Sequence, residues 1–66
     1  MKELTEAMRE SLLASAQKHE EAAKEIRAVI DRLTTTGYTV YANELTKVVV
    51  GMIRHVDGAR DLARKS

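Results

Sequence analysis

Residues 34–45 read TTTGYTVYANEL. Three consecutive threonines are poor helix formers whose hydroxyls compete for backbone hydrogen bonds. Gly37 follows them and tolerates the left-handed conformation that closes a helix. Thr39 then offers an N-cap for a new helix. The stretch also holds Tyr38 and Tyr41, the only aromatic residues among Phe, Trp and Tyr in the 66-residue chain. Its reading decides the fold, because the residues on both sides have helical period.

Upstream, Leu12, His19, Ile26 and Leu33 recur every seven residues, and Met8, Ser15, Ala22 and Val29 form a second line. Leu13, Ala16, Ala23 and Ile30 widen this apolar stripe beyond a minimal two-stranded seam. The opposite face is charged, with Glu20 and Lys24 in the favourable i,i+4 order. Downstream, Leu45, Val48, Val49, Met52, Ile53, Val56, Ala59, Leu62 and Ala63 continue a helical stripe to the end. The local VVV run at 48–50 favours strand, but the three-and-four spacing on both sides of it overrides that preference. Arg60, Arg64 and Lys65 gather where a helix dipole favours cations.

The pattern predicts one all-α domain over residues 1–66: a helix over about 3–34, a turn over about 35–39 and a helix over about 40–65. So short a connection makes the helices antiparallel neighbours. With the turn centred near Gly37, residues whose numbers add to roughly 73 face one another. This pairs His19 with His55, sets Ser15 near Gly58, and sets Ala22 and Ala23 near Val50 and Gly51. The two glycines are then expected to permit close approach of the helices. Met1 to Glu6, with Leu4, are expected to overhang the end of the second helix.

A lone hairpin buries only the seam between its helices, while ordering about 60 residues costs on the order of 90 kcal/mol. The wide stripes therefore predict self-association, as a dimeric four-helix bundle. Its expected core is Leu12, Ile26, Ile30, Leu33, Leu45, Val49, Met52 and Val56.

Eleven basic and ten acidic residues leave a net charge of +1, which is no footprint for nucleic acid. No cysteine is present, so there is neither a disulfide framework nor a thiolate metal site. No apolar run nears the roughly 18 residues that span a bilayer, and MKELTEAMRE does not read as a secretory signal. A soluble, cytoplasmic protein without membrane association is expected.

Few residues suggest chemistry. His19 and His55 could meet in a symmetric dimer, but the Glu-x-x-His spacing of bundle di-iron sites is missing. His19 is read as a seam residue bonded to Ser15 or water, and His55 as marginal, so neither a metal nor a cofactor is expected. Ser11, Ser15 and Ser66 lack the strand-turn-helix elbow of a serine nucleophile, and no catalytic residues are assigned. The expectation is a non-enzymatic oligomer that binds another macromolecule, a protein, as regulator, inhibitor, adaptor or chaperone. Tyr38, Thr36, Gly37 and Tyr41 are the candidate partner-binding residues. Tyr41, one turn before Leu45, is expected to cover the end of the core, and Tyr38 to stand at the loop tip. One alternative is sequestration of a small anionic or nucleotide ligand at the turn or between subunits, since TTTGYT offers hydroxyls and a helix start. The other is RNA binding: a dimeric hairpin bundle resembles in architecture the plasmid copy-number regulators of the Rop type, which bind paired RNA loops along one helical face. No motif is shared, and Glu20, Glu21, Glu25 and Asp31 stand among the basic residues such a face would need.

Overall fold

The computed structural model describes residues 3–65, and among them the chain is two helices packed against each other with no strand. Helix α1 spans Glu6–Thr35 and helix α2 spans Thr39–Lys65. Helix α1 starts three residues later than its apolar pattern suggests, because Thr5 caps it. The Met8 N–H donates to Thr5 Oγ1 at 3.2 Å, satisfying one of the four unpaired amides of a helix start. Of the expected overhang, Met1 and Lys2 lie outside the described residues, Glu6 is already helical, and Leu4 is half-buried.

The turn closes as a Schellman motif. The Tyr38 N–H donates to Leu33 O at 2.8 Å and the Gly37 N–H to Thr34 O at 3.2 Å, with Gly37 at φ 90°. Each hydroxyl of Thr34, Thr35 and Thr36 donates to the carbonyl four residues back, all at 2.8 Å. The three threonines thus help to end α1. The turn is shorter than expected, and Thr39 is the first residue of α2 rather than its cap. The Tyr38 carbonyl accepts from the Ala42 N–H at 3.1 Å, in the place of a cap residue.

The seam follows a heptad rhythm. In α2, Ala42, Val49, Val56 and Ala63 are buried at seven-residue intervals, with Leu45, Met52 and Ala59 between them. In α1 the inward lines are Ala16, Ala23 and Ile30 together with Leu12, His19, Ile26 and Leu33. This corrects the sequence reading of the second line. Met8 and Val29 are 57% and 46% exposed, whereas Ala16 is wholly buried and Ala23 is 3% exposed. Five of the seven buried residues are alanine, and small side chains let the two backbones pack closely. The glycine expectation also fails. Gly51 and Gly58 are exposed, and a Cβ on either would meet nothing within 4 Å. Gly51 lies two residues from buried Val49 and Gly58 two from buried Val56, about 200° round the helix and so away from α1.

The predicted register holds at mid-length, where the His19 and His55 ring centroids are 4.4 Å apart. Near the open end, Arg9 Nε donates to Ala63 O at 3.1 Å. The result is a thin ribbon, with Cα extents of 50 × 17 × 11 Å. Its radius of gyration is 15.2 Å, against about 11 Å for a globular chain of this length.

Candidate interaction surface

The eight expected core residues divide in two. Val49 and Val56 are buried, whereas Leu12, Ile26, Ile30, Leu33, Leu45 and Met52 are only half-buried by the partner helix. The large side chains of the seam are therefore left part-covered, and the helical rhythm says on which side.

In an antiparallel heptad pair, residues flanking the seam fall on one of two sides of the ribbon. One side carries Leu13, Glu20 and Arg27 from α1 with Thr46, Ile53 and Arg60 from α2. It is bridged by an ion pair from Arg60 Nη2 to Glu20 Oε2. The other carries Met8, Ser15, Ala22 and Val29 from α1 with Tyr41, Val48, His55 and Leu62 from α2. No lysine, arginine, aspartate or glutamate occurs in those eight positions. Five of the eight are large apolar side chains left well exposed: Met8, Val29, Tyr41, Val48 and Leu62. The ribbon thus has one polar edge and one open apolar face, running from Met8 and Leu62 at one end to Val29 and Tyr41 at the turn.

The total accessible surface measures the same deficit. It is 5311 Å² for this 7.4 kDa chain, about 1,100 Å² more than a globular monomer of that mass exposes. Folding hides about half of the surface of the extended chain, where a 60-residue domain hides about 60%.

The turn makes a second exposed apolar group. Tyr38, Val40 and Tyr41 are 57%, 71% and 66% exposed, and the two tyrosine rings lie 6.3 Å apart at 55°. The structure therefore moves Tyr41 off the core. Ala42 fills the seam at that level, which leaves Tyr41 on the apolar face. Thr36 and Gly37 are exposed as well, but their polar groups bond within the turn. The hydroxyls of the threonine run donate to carbonyls, so they point back along α1 instead of forming an anion cradle.

Several charged groups pair with neighbours on their own helix. Arg9 pairs with Glu6, Lys47 with Glu44, and Arg64 and Lys65 both with Asp61. Hydrogen bonds from Lys65 and then Arg64 hold the Asp61 carboxyl below its ordinary pKa. A shallow depression lined by Asp57, Gly58, Arg60, Asp61 and Arg64 lies on this polar part of α2. Among the described residues no helix is long and apolar enough to cross a membrane. Comparison with protein-family models, with curated proteins and with solved structures finds no match.

Proposed function

We propose that the chain is a small non-enzymatic helical protein that pairs with a second copy through its apolar face, forming a dimeric four-helix bundle, and that the bundle acts by binding another protein as a regulator, inhibitor, adaptor or chaperone. The observation that carries the reading is the one-sided surface. Half-buried Leu12, Ile26, Leu33, Leu45 and Met52 adjoin a charge-free flank of exposed Met8, Val29, Tyr41, Val48 and Leu62. An exposed apolar face of this extent marks an interaction site. A second copy suits it because the same patch would meet itself across a two-fold axis. A compact dimer of this mass exposes about 7,000 Å², so each chain would hide about 1,800 Å², well beyond the roughly 800 Å² per partner of a standard stable interface.

The exposed tip of Tyr38 and Val40 is where the third molecule is expected to dock, since amphipathic aromatic side chains are frequent anchors of recognition. The test has two parts. Sedimentation equilibrium should show a dimer at micromolar concentration. Capture from the native cell should recover a protein with the parent chain and lose it with Tyr38→Ala while the dimer persists. A folded monomer in the first measurement refutes the assembly, and unchanged capture in the second refutes the role of the tip.

A further inference from the structure

The apolar face is interrupted near its centre by polar side chains, the imidazoles of His19 and His55 and the hydroxyl of Ser15. His19 and His55 meet across the two helices with centroids 4.4 Å apart and ring planes tilted by 33°. His19 is half-buried and its Nδ1 is 2.8 Å from Ser15 O. A carbonyl only accepts, so Nδ1 carries the hydrogen and, in the neutral ring, Nε2 holds the lone pair. This is the arrangement found behind metal-ligating histidines, whose second nitrogen donates to a backbone carbonyl that fixes the ring. With metal–nitrogen bonds of roughly 2.1 Å, two cis imidazoles on one ion have centroids about 4.6 Å apart at a right angle and about 5.3 Å apart at the tetrahedral angle of zinc. The observed 4.4 Å is close to the right-angle spacing and about 0.9 Å short of the tetrahedral one, a gap that a small turn of the exposed His55 ring closes.

We propose that His19 and His55 form a two-imidazole clamp for a divalent transition-metal ion, completed by the same pair of a second copy. The proposal rests on the dimer reading above. Among the described residues one chain gathers no group of three or more His, Cys, Asp or Glu side chains suited to a metal, so one hairpin supplies two donors and the partner supplies the rest. The position on the face makes that possible. His19 falls midway between Met8 and Val29 along α1. A two-fold axis through this midpoint, whether along the helices or across them, sets the second imidazole pair beside the first. The donor set selects the ion: imidazole nitrogen with no carboxylate on the face suits Zn²⁺, Ni²⁺ or Cu²⁺ rather than Mg²⁺ or Ca²⁺. Covering the face without an ion would leave imidazole nitrogens facing apolar side chains, which is costly unless each finds a partner. Coordination removes that cost, so the ion and the second copy favour each other.

The test titrates the EDTA-stripped chain with zinc chloride by calorimetry at neutral pH, with sedimentation of the same samples. Saturable binding of about one ion per two chains is expected. The melting temperature should rise by about 10 °C or more when zinc is a hundredfold above its dissociation constant. His19→Gln and His55→Gln should each weaken zinc binding at least tenfold, and Glu20→Gln, next to His19 in sequence but on the polar edge, should not. Absence of saturable binding, equal binding by the histidine variants, or one ion per chain overturns the four-imidazole site. Sedimentation in EDTA reads the assembly by itself. A dimer there that ignores zinc refutes the clamp and leaves the dimer reading intact. A chain monomeric in EDTA and dimeric in zinc supports the clamp and refutes metal-free dimerisation. A monomer in both refutes the two together.

Discussion

Val48→Asp separates the proposed bundle from a hairpin that stands alone. Val48 is 49% exposed in the hairpin and lies on the charge-free face. Full burial of a valine side chain stabilises by about 1.5–3 kcal/mol, so covering the remaining half contributes about 1 kcal/mol per chain. An aspartate there forfeits that amount and sets a carboxylate against an apolar surface with no basic residue to pair it. An uncompensated charge at full burial costs about 3–5 kcal/mol. At the flank of the interface about half of that applies, so the total is about 3 kcal/mol per chain and, by symmetry, about 6 kcal/mol per dimer. At 1.4 kcal/mol per factor of ten, the dimer should dissociate about 10⁴-fold more readily. Leu13→Asp is the matched control. Leu13 is 45% exposed, nearly as much as Val48, but it lies on the polar edge with Glu20. Its dimer constant should stay within about threefold of the parent, a change of under 1 kcal/mol. Sedimentation equilibrium over a micromolar to millimolar range measures both. The reasoning is refuted if Val48→Asp dimerises as tightly as the parent, or if Leu13→Asp dissociates to the same extent.

Val49→Asp, one residue on, reaches the 5%-exposed seam; it should cost about 3–5 kcal/mol and abolish the helical circular dichroism at micromolar concentration. Tyr38→Ala and Tyr41→Ala should each change hairpin stability by less than about 1 kcal/mol, because both rings are mostly exposed; only Tyr41→Ala should also weaken the dimer, as seen by sedimentation. Gly58→Ala should raise the melting temperature by several degrees, since the added methyl meets nothing within 4 Å and alanine gains about 1 kcal/mol over glycine in a helix. Gly37→Ala should lower it, because φ at 90° suits only glycine. Asp61 has a folded pKa below its unfolded value, so its contribution is present above the unfolded pKa and lost as the pH falls through the folded one. Asp61→Asn should therefore flatten the acid side of the stability profile and leave its neutral-to-basic side unchanged in shape.

The two helices and the place where they turn were legible without coordinates. A threonine run followed by Gly37 can end a helix in few ways, and the Schellman bonds to Leu33 and Thr34 are what that chemistry requires. The short turn also set the antiparallel register closely enough to place His19 opposite His55. What the pattern left open was which apolar lines face inward. Met8, Ser15, Ala22 and Val29 repeat every seven residues just as the line through Ala16, Ala23 and Ile30 does; hydrophobicity alone does not choose between them, and the sequence reading takes the line with Met8 and Val29. Packing decided otherwise: two helices cover about two lines each, and alanine in the seam permits the closest approach of their backbones. The larger side chains were thereby turned to the flank. In α2 the seam through Ala42, Val49, Val56 and Ala63 likewise turned Gly51 and Gly58 away from α1 and set Tyr41 on the open face instead of the core. Periodicity specifies that a helix has an apolar side, but the angle at which that side meets its neighbour depends on the sizes of the side chains on both helices at once.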